Sequence, residues 1–241
     1  MGSVSELNDL IRRSSRIVFF GGAGVSVPSG IPDFRSSTGI YNRRFRYPAE
    51  TMLSHSFFLR HTEEFYDFYR SVMLYPDAKP NAAHIKLAEM EQKGKLDAVI
   101  TQNIDGLHQA AGSRNVIELH GSVLRNHCTD CQKPYPLSYI LSTEGVPRCS
   151  ECGGVVKPDV VLYEEPLDGD CISDAIYRIA NCDLLIIGGT SLSVYPAASF
   201  INYLPRTSKL AIVNLSATSA DSSADLVITE GIDSVFSKLD I

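Results

Sequence analysis

The sequence predicts an α/β fold, a Rossmann-like doubly wound parallel sheet with a smaller lobe attached. Three observations carry this. Short apolar runs recur along the chain and end in glycine or small polar residues. Amphipathic helical stretches separate several of them, and two segments of different composition interrupt the alternation. Strands alternating with helices imply parallel pairing, because each crossover returns the chain to the same end of the sheet.

Arg16 to Gly21 (RIVFFG) is apolar without alternation, as expected of a strand buried on both faces, and it ends in glycines that feed a turn. Leu96 to Thr101, Val116 to Leu119, Asp183 to Ile187, Lys209 to Asn214 and Asp225 to Ile228 read the same way. Helices are expected over Asn81 to Lys93, with Asn81 as N-cap after Pro80, and over Asp170 to Ala180, Pro196 to Tyr203 and Ile232 to Leu239. Pro32 to Pro80 breaks the pattern, being rich in aromatics and arginine, with a helical core near Ser56 to Met73. Ser122 to Pro158 breaks it again, with six Pro and Gly residues between Pro134 and Gly154. The expected organisation is a sheet lobe from 1–31, 80–121 and 158–241. A helical module (32–79) and a cysteine-bearing module (122–157) would form the small lobe.

That second insertion holds Cys128-x-x-Cys131, a gap of 17 residues, and Cys149-x-x-Cys152. Each pair places two sulfurs on one tight turn, and two turns close a tetrahedron around Zn²⁺. Such a closed four-thiolate site leaves no position for water, so the zinc is expected to be structural.

With 241 residues, 44% hydrophobic and 21% charged, the chain suits a globular enzyme. Its net charge of −6 weighs against a nucleic-acid partner; it fits a basic peptide partner, or plain solubility equally well. No apolar run approaches the length of a membrane span. Acids and arginines precede the first apolar run, unlike a signal peptide, and Glu6 stands where a myristoylation signal wants Ser or Thr. These features predict a cytoplasmic protein with reduced thiols, in which Cys171 and Cys182 are buried and free.

Gly21-Gly22-Ala23-Gly24 follows the first strand, where a helix is expected to open and backbone N–H groups could meet a pyrophosphate. A tight strand-to-helix turn explains the same glycines, and the dinucleotide fingerprint is incomplete because Val27 stands at its third glycine position. Gly30-Ile31-Pro32-Asp33-Phe34-Arg35 then offers an acceptor, a ring face and a fixed cation in succession, a set suited to phosphate or ribose. Thr101-Gln102-Asn103-Ile104-Asp105 sits directly after a strand, where open α/β sheets bind ligands. His120, at the end of the next strand and followed by Gly121, is a candidate general base. Helix faces or loops explain His55, His61, His84, His108 and His127. Gly188 to Val194 adds small and hydroxylic residues after the fourth strand, and Asn214 ends the fifth.

Assembled, these strings resemble the sirtuins, NAD-dependent protein-lysine deacylases. They are Gly22 to Ser26, Gly30 to Arg35, Thr101 to His108, Leu119-His120-Gly121, the four cysteines, Pro158-Asp159-Val160-Val161, Gly189 to Leu192 and Asn214. The resemblance runs in the family's order over nearly the whole chain. It implies NAD held between the sheet lobe and the small lobe by Ala23, Val27, Phe34, Arg35, Gln102, Ile104, Asp105, His120, Gly189, Thr190, Ser191, Asn214, Leu215 and Ile232. Asp105 would hold the nicotinamide carboxamide, and Asn103 would orient the ribose or a water. The acyl-lysine oxygen would attack the ribose C1′ as nicotinamide leaves, and His120 would then be the base for a ribose hydroxyl. Nicotinamide, free lysine and 2′-O-acyl-ADP-ribose would follow, from an acyl-lysine protein or peptide bound along Val160, Val161 and Tyr163.

Two departures matter. Glu164 stands where the family has Gly, a position at which a left-handed conformation would be strained, and with Glu165 it could favour basic residues near the target lysine. Tyr66-Asp67-Phe68-Tyr69 matches the family's Tyr-x-x-Arg stretch but lacks the Arg that pairs with acidic acyl groups. Tyr66 and Tyr69 are therefore expected beside a neutral acyl group, acetyl above all. ADP-ribosyl transfer to protein is the alternative within the family. A Rossmann oxidoreductase is the less favoured one outside it, for want of a Tyr-x-x-x-Lys and a complete glycine fingerprint. A zinc ribbon that binds nucleic acid is disfavoured by charge. The expected assembly is a monomer.

Overall fold

The computed structural model describes residues 2–36 and 39–241, so Met1, Ser37 and Thr38 of the expected lobes lie outside the described residues. An N-terminal helix, α1 (Val4–Arg13), comes first and was not foreseen. Ser3 and Glu6 close a capping box at its start, and Arg12 and Arg13 face the negative end of its dipole. β1 (Ile17–Gly21) follows. The small-lobe segment then folds as α2 (Ala49–Met52), α3 (His55–Arg60) and α4 (Thr62–Phe68), closing in a π-helical turn, Tyr69–Met73.

Next come α5 (Ala82–Gln92), capped by Asn81 as expected, β2 (Leu96–Thr101), α6 (Leu107–Ala110), β3 (Val116–Glu118) and β4 (Gly121–Cys128). β5 (Pro134–Pro136), α7 (Leu137–Ser142) and β6 (Val156–Val160) complete the cysteine-bearing segment. The chain ends through α8 (Gly169–Ala180), β7 (Leu184–Gly188), β8 (Lys209–Val213), β9 (Leu226–Ile228) and α9 (Ile232–Ser237). Ala197–Tyr203, expected as an α-helix, is a 3₁₀ helix.

Six strands form one sheet in the order β3-β2-β1-β7-β8-β9, every pair parallel. Strand alternation sorts its side chains onto two faces. Ile17 and Phe19 join Leu184, Ile186, Ala211 and Val213 under α1, α5 and α9. Val18 and Phe20 join Leu185, Ile187, Leu210 and Ile212 under α8 and the Ala197–Tyr203 turn. Burial on both faces is why these runs lack polar alternation. The order reverses between β1 and β7, and ligands of such sheets sit beyond the carboxyl ends of strands at that reversal.

A three-stranded antiparallel sheet, β5-β4-β6, belongs to the cysteine-bearing segment. Its side chains share one apolar cluster with the 40–74 segment, including Phe57, Phe65, Tyr66, Tyr69, Val156 and Leu162. No helix among the described residues is long and apolar enough to cross a membrane.

Candidate active site

A cavity of about 1130 Å³ opens over the carboxyl ends of β1, β2, β7 and β8. Its rim draws on both insertions. The first strand-end loop is not the helix N-terminus expected from its glycines. Ala23–Val25 and Val27–Ser29 are two 3₁₀ turns. The reason lies across the reversal point, where the Gly24 N–H donates to the Gly189 carbonyl at 2.8 Å. A Cβ on Gly189 would come within 2.4 Å of the Val25 nitrogen, and one on Gly24 within 2.8 Å of the Gly189 Cα. These glycines let the two loops touch, and the contact sets the cavity floor.

Ser26 organises that floor although its signal was only a serine at the end of a glycine string. It is 1% exposed. Its hydroxyl donates to Asp105 Oδ2 at 2.6 Å and accepts from Asn103 Nδ2 at 3.1 Å. Asp105 Oδ1 accepts the Leu107 N–H at 2.9 Å, so both carboxylate oxygens are oriented by the protein. Asn103 Nδ2 also donates to the Gly22 carbonyl at 3.1 Å. Its amide nitrogen is thereby spent, and Oδ1 is left to accept. Gln102 reaches across the floor to donate to Thr190 Oγ1 at 3.1 Å.

His120 stands between the two sheets, after β3 and directly before β4. Its Nδ1 lies 2.9 Å from the Gln102 carbonyl, an acceptor, which makes Nδ1 the protonated nitrogen. Nε2 then carries the lone pair. Burial lowers the His120 pKa from 6.5 and outweighs the raising effect of that carbonyl bond, so the neutral base persists into mildly acidic solution. Gly121 has φ +73°, and a Cβ there would lie 1.9 Å from the Asp159 carbonyl oxygen. Only glycine fits between the histidine and β6.

The upper wall comes from the Ile31–Tyr41 segment. Arg35 Nη1 donates to Ser193 Oγ at 2.8 Å and approaches Ser191 Oγ at 3.4 Å, which holds its guanidinium over the Gly189–Ser191 loop. Phe34 packs its ring 5.5 Å from that of Tyr41, an unforeseen cavity residue with no local sequence signal. Ala23, Val27, Ile104, Asn214, Leu215 and Ile232 also line the cavity.

Val160, Val161 and Tyr163 line the opposite wall. Val161 N–H donates to the His120 carbonyl at 3.0 Å, tying this segment to the histidine itself. Tyr163 N–H donates to Leu53 O at 3.0 Å, its carbonyl accepts from His55 N–H at 2.9 Å, and its hydroxyl bonds that of Tyr41. Glu164 does take the left-handed conformation, at φ +76°, which costs roughly 1–2 kcal/mol relative to glycine.

Three expectations need correction here. Tyr66 and Tyr69 are fully buried in the small-lobe core and do not line the cavity. Their aromatic bodies fill the gap between α4 and the cysteine-bearing sheet, where the Tyr66 hydroxyl bonds the Val156 carbonyl. Adjacent Arg70 turns the same way and donates to the Ile140 and Gly145 carbonyls. The acids are not free for a basic peptide either. Glu164 accepts from Ser56, and Glu165 takes His55 Nδ1 at 2.7 Å, Lys157 Nζ at 3.2 Å and the Leu162 N–H at 2.8 Å. Cys182 is buried as expected, but Cys171 only partly.

Cys128, Cys131, Cys149 and Cys152 bring their four sulfurs within 4.8 Å of one another. Backbone N–H groups of Asp130 and Glu151 point at Cys128 and Cys149 Sγ, and the Tyr135 hydroxyl donates to Cys149 Sγ at 3.2 Å. Donors aimed at sulfur suit thiolates, and four converging thiolates fit a structural Zn²⁺.

Two further histidines sit behind the floor. His84 and His108 are buried with ring centroids 4.7 Å apart. Burial pulls His84 down to about 4, against the raising effect of Asp105, and His108 to about 3, with His84 adding to the fall. Both folded values lie below the unfolded one near 6.5, so the stability they contribute is present above that pH and lost as pH falls beneath it. Between about pH 6.5 and 5, above the usual carboxylate range, the melting temperature should fall. His108→Phe should flatten that slope in a calorimetric pH series, and an unchanged slope would contradict the assignment.

The sequence pattern of the Sir2 family matches residues 22–196. The NAD-dependent protein deacetylase of Clostridium perfringens is 57% identical over 98% of both chains. NAD-dependent protein deacetylase 1 of Pyrobaculum aerophilum is 45% identical, covering 98% of this chain and 93% of its own. Among solved structures, a Sir2 protein with a p53 peptide and NAD⁺ superposes with a TM-score of 0.86 at 40% identity, covering 97% of this chain and 95% of that one. A Sir2 protein bound to a propionylated peptide gives 0.85 at 40%, with the same coverage. The family pattern spans most of the chain and the relatives nearly all of it: the chain belongs to the Sir2 family.

Proposed function

We propose that this chain removes acetyl and other neutral acyl groups from protein lysines at the expense of NAD. One observation carries the reading. A neutral His120 with an unprotonated Nε2, an Asp105 carboxylate oriented by Ser26 and Leu107, and the Val161–Tyr163 segment hydrogen-bonded to the His120 carbonyl share one cavity. The relatives named deacetylases and the Sir2 structures holding NAD⁺ or acylated peptides support it.

NAD would supply an electrophilic ribose carbon with nicotinamide as its leaving group. The protein's own groups do the rest. Asp105 would accept from the carboxamide, and Asn103 Oδ1 would accept from a ribose hydroxyl or water. Arg35 would meet the phosphates, and the Gly24–Gly189 contact holds the cavity floor. Phe34, Ile104 and Val160 exclude water, which strengthens every polar contact made with developing charge. His120 Nε2 would take the proton of a ribose hydroxyl, and its Nδ1–H bond to the Gln102 carbonyl fixes the ring for that role.

The acyl-lysine peptide runs along Val161–Tyr163 at the cavity wall. In the same reading 32–79 and 122–157 form the small lobe against 1–31, 80–121 and 158–241, and the protein is a cytoplasmic monomer. Neutral acyl groups are favoured because Arg70 is committed to Ile140 and Gly145. Mass spectrometry over acetyl, propionyl, crotonyl and succinyl peptides tests this. Acetyl and propionyl should lead and succinyl trail by at least about 10-fold, the cost of burying an acyl carboxylate without a cation. A dominant succinyl product would overturn the assignment.

A further inference from the structure

The segment beside His120 contains one residue whose backbone favours glycine and whose side chain is nonetheless engaged. Glu164 sits at φ +76°. Its two carboxylate oxygens are both used by Ser56: Oε2 accepts the backbone N–H at 2.8 Å, and Oε1 accepts the hydroxyl at 3.0 Å. Ser56 lies in the first turn of α3, where helix N–H groups have no intrahelical acceptor, and Ser54, the N-cap, already serves Phe57. The carboxylate therefore completes a helix start in one module from a loop in another. Bonds through Tyr163 N–H and carbonyl flank it, so residues 163–164 are held to 53–56 on both backbone and side chain. The Glu164 N–H itself meets no acceptor among the described residues.

We propose, on the reading that residues 161–163 seat the acyl-lysine peptide, that Glu164 is a positioning residue for that peptide. Its bridge to Ser56 keeps the segment in its strand-like geometry, in place of the backbone freedom that glycine would bring. A glycine relieves the left-handed conformation but cuts the bridge. The segment then loses one of its ties to α3 and keeps those of Tyr163 and of Glu165 to His55, so peptide binding has to order more of it.

Steady-state kinetics on the full chain, with an acetyl-lysine peptide and NAD each varied at saturation of the other, test this. Glu164→Gly should raise the peptide KM about tenfold, with kcat moving less than about threefold and the NAD KM less than about twofold. Glu164→Gln keeps an acceptor oxygen for Ser56 and should recover the peptide KM to within about threefold of the parent. Ser56→Ala removes one of the two bonds and should fall between them. Melting temperatures check that each variant is folded. A Glu164→Gly peptide KM at or below the parent's would overturn the proposal. So would equal changes in both KM values and kcat, which mark a general structural loss. A parent protein with no NAD-dependent deacetylation would overturn the functional reading, and this role with it, before any variant is compared.

Discussion

His120→Ala should lower kcat for deacetylation by about 10²–10⁴-fold, the usual contribution of a positioned general base. The fold should survive, because among the described residues the ring has one protein hydrogen bond, from Nδ1 to the Gln102 carbonyl, and it lines the cavity. The loss should fall unevenly on the reaction. In the proposed reaction His120 would act on the ribose hydroxyl after nicotinamide has left, so nicotinamide release in a single turnover should drop less than lysine deacylation. The pH profile supplies an independent check. In the proposed role neutral imidazole would be the active form, and burial lowers its pKa, so the acidic limb of kcat/KM should lie below 6.5. That limb should vanish in the alanine variant. Deacylation retained at the parent rate would remove His120 from its role.

Loss of zinc should be equally severe but by a different route. Cys128 and Cys149 are buried in the same apolar cluster as Phe57, Phe65 and Tyr66. β6 begins four residues after Cys152 and runs into Val161, the residue bonded to His120. Structural zinc contributes on the order of 10 kcal/mol to folding of its site. Chelation or Cys152→Ser should therefore lower the melting temperature by at least about 10 °C, at roughly 2–4 °C per kcal/mol for a chain of this size. Activity should fall together with the fold, and zinc should restore both where the cysteines are intact. Zinc removal that stopped catalysis with an unchanged melting temperature would show a chemical role instead.

The sheet was legible because burial on both faces leaves continuous apolar runs, and all six expected strands form within a residue or two. Strand-end polar residues were legible for a related reason. A ligand site at a topological reversal needs small or polar residues just past each strand, and Gln102, Asn103, His120, Thr190 and Asn214 all occupy such positions. What the sequence concealed depends on contacts between distant segments. Gly24 looked like a helix start for a phosphate, yet it faces Gly189 across the reversal point. Tyr66 and Tyr69 looked like acyl-pocket residues, yet the neighbouring cysteine-bearing sheet demands apolar cover and takes them inward. Ser26 and Tyr41 became visible only through their partners, Asp105 and Tyr163. The two acids after Tyr163 read as a lure for basic peptides until Ser56, His55 and Lys157 were placed against them.

The central claim is that NAD is consumed in step with lysine deacylation in this one cavity. Mass spectrometry of a single reaction, with an acetyl-lysine peptide and NAD as the only substrates, measures it directly. Nicotinamide, free-lysine peptide and acetyl-ADP-ribose should accumulate in a 1:1:1 ratio, with none formed when either substrate is omitted. Reduced nicotinamide dinucleotide, or ADP-ribose attached to protein without matching deacetylation, would contradict it.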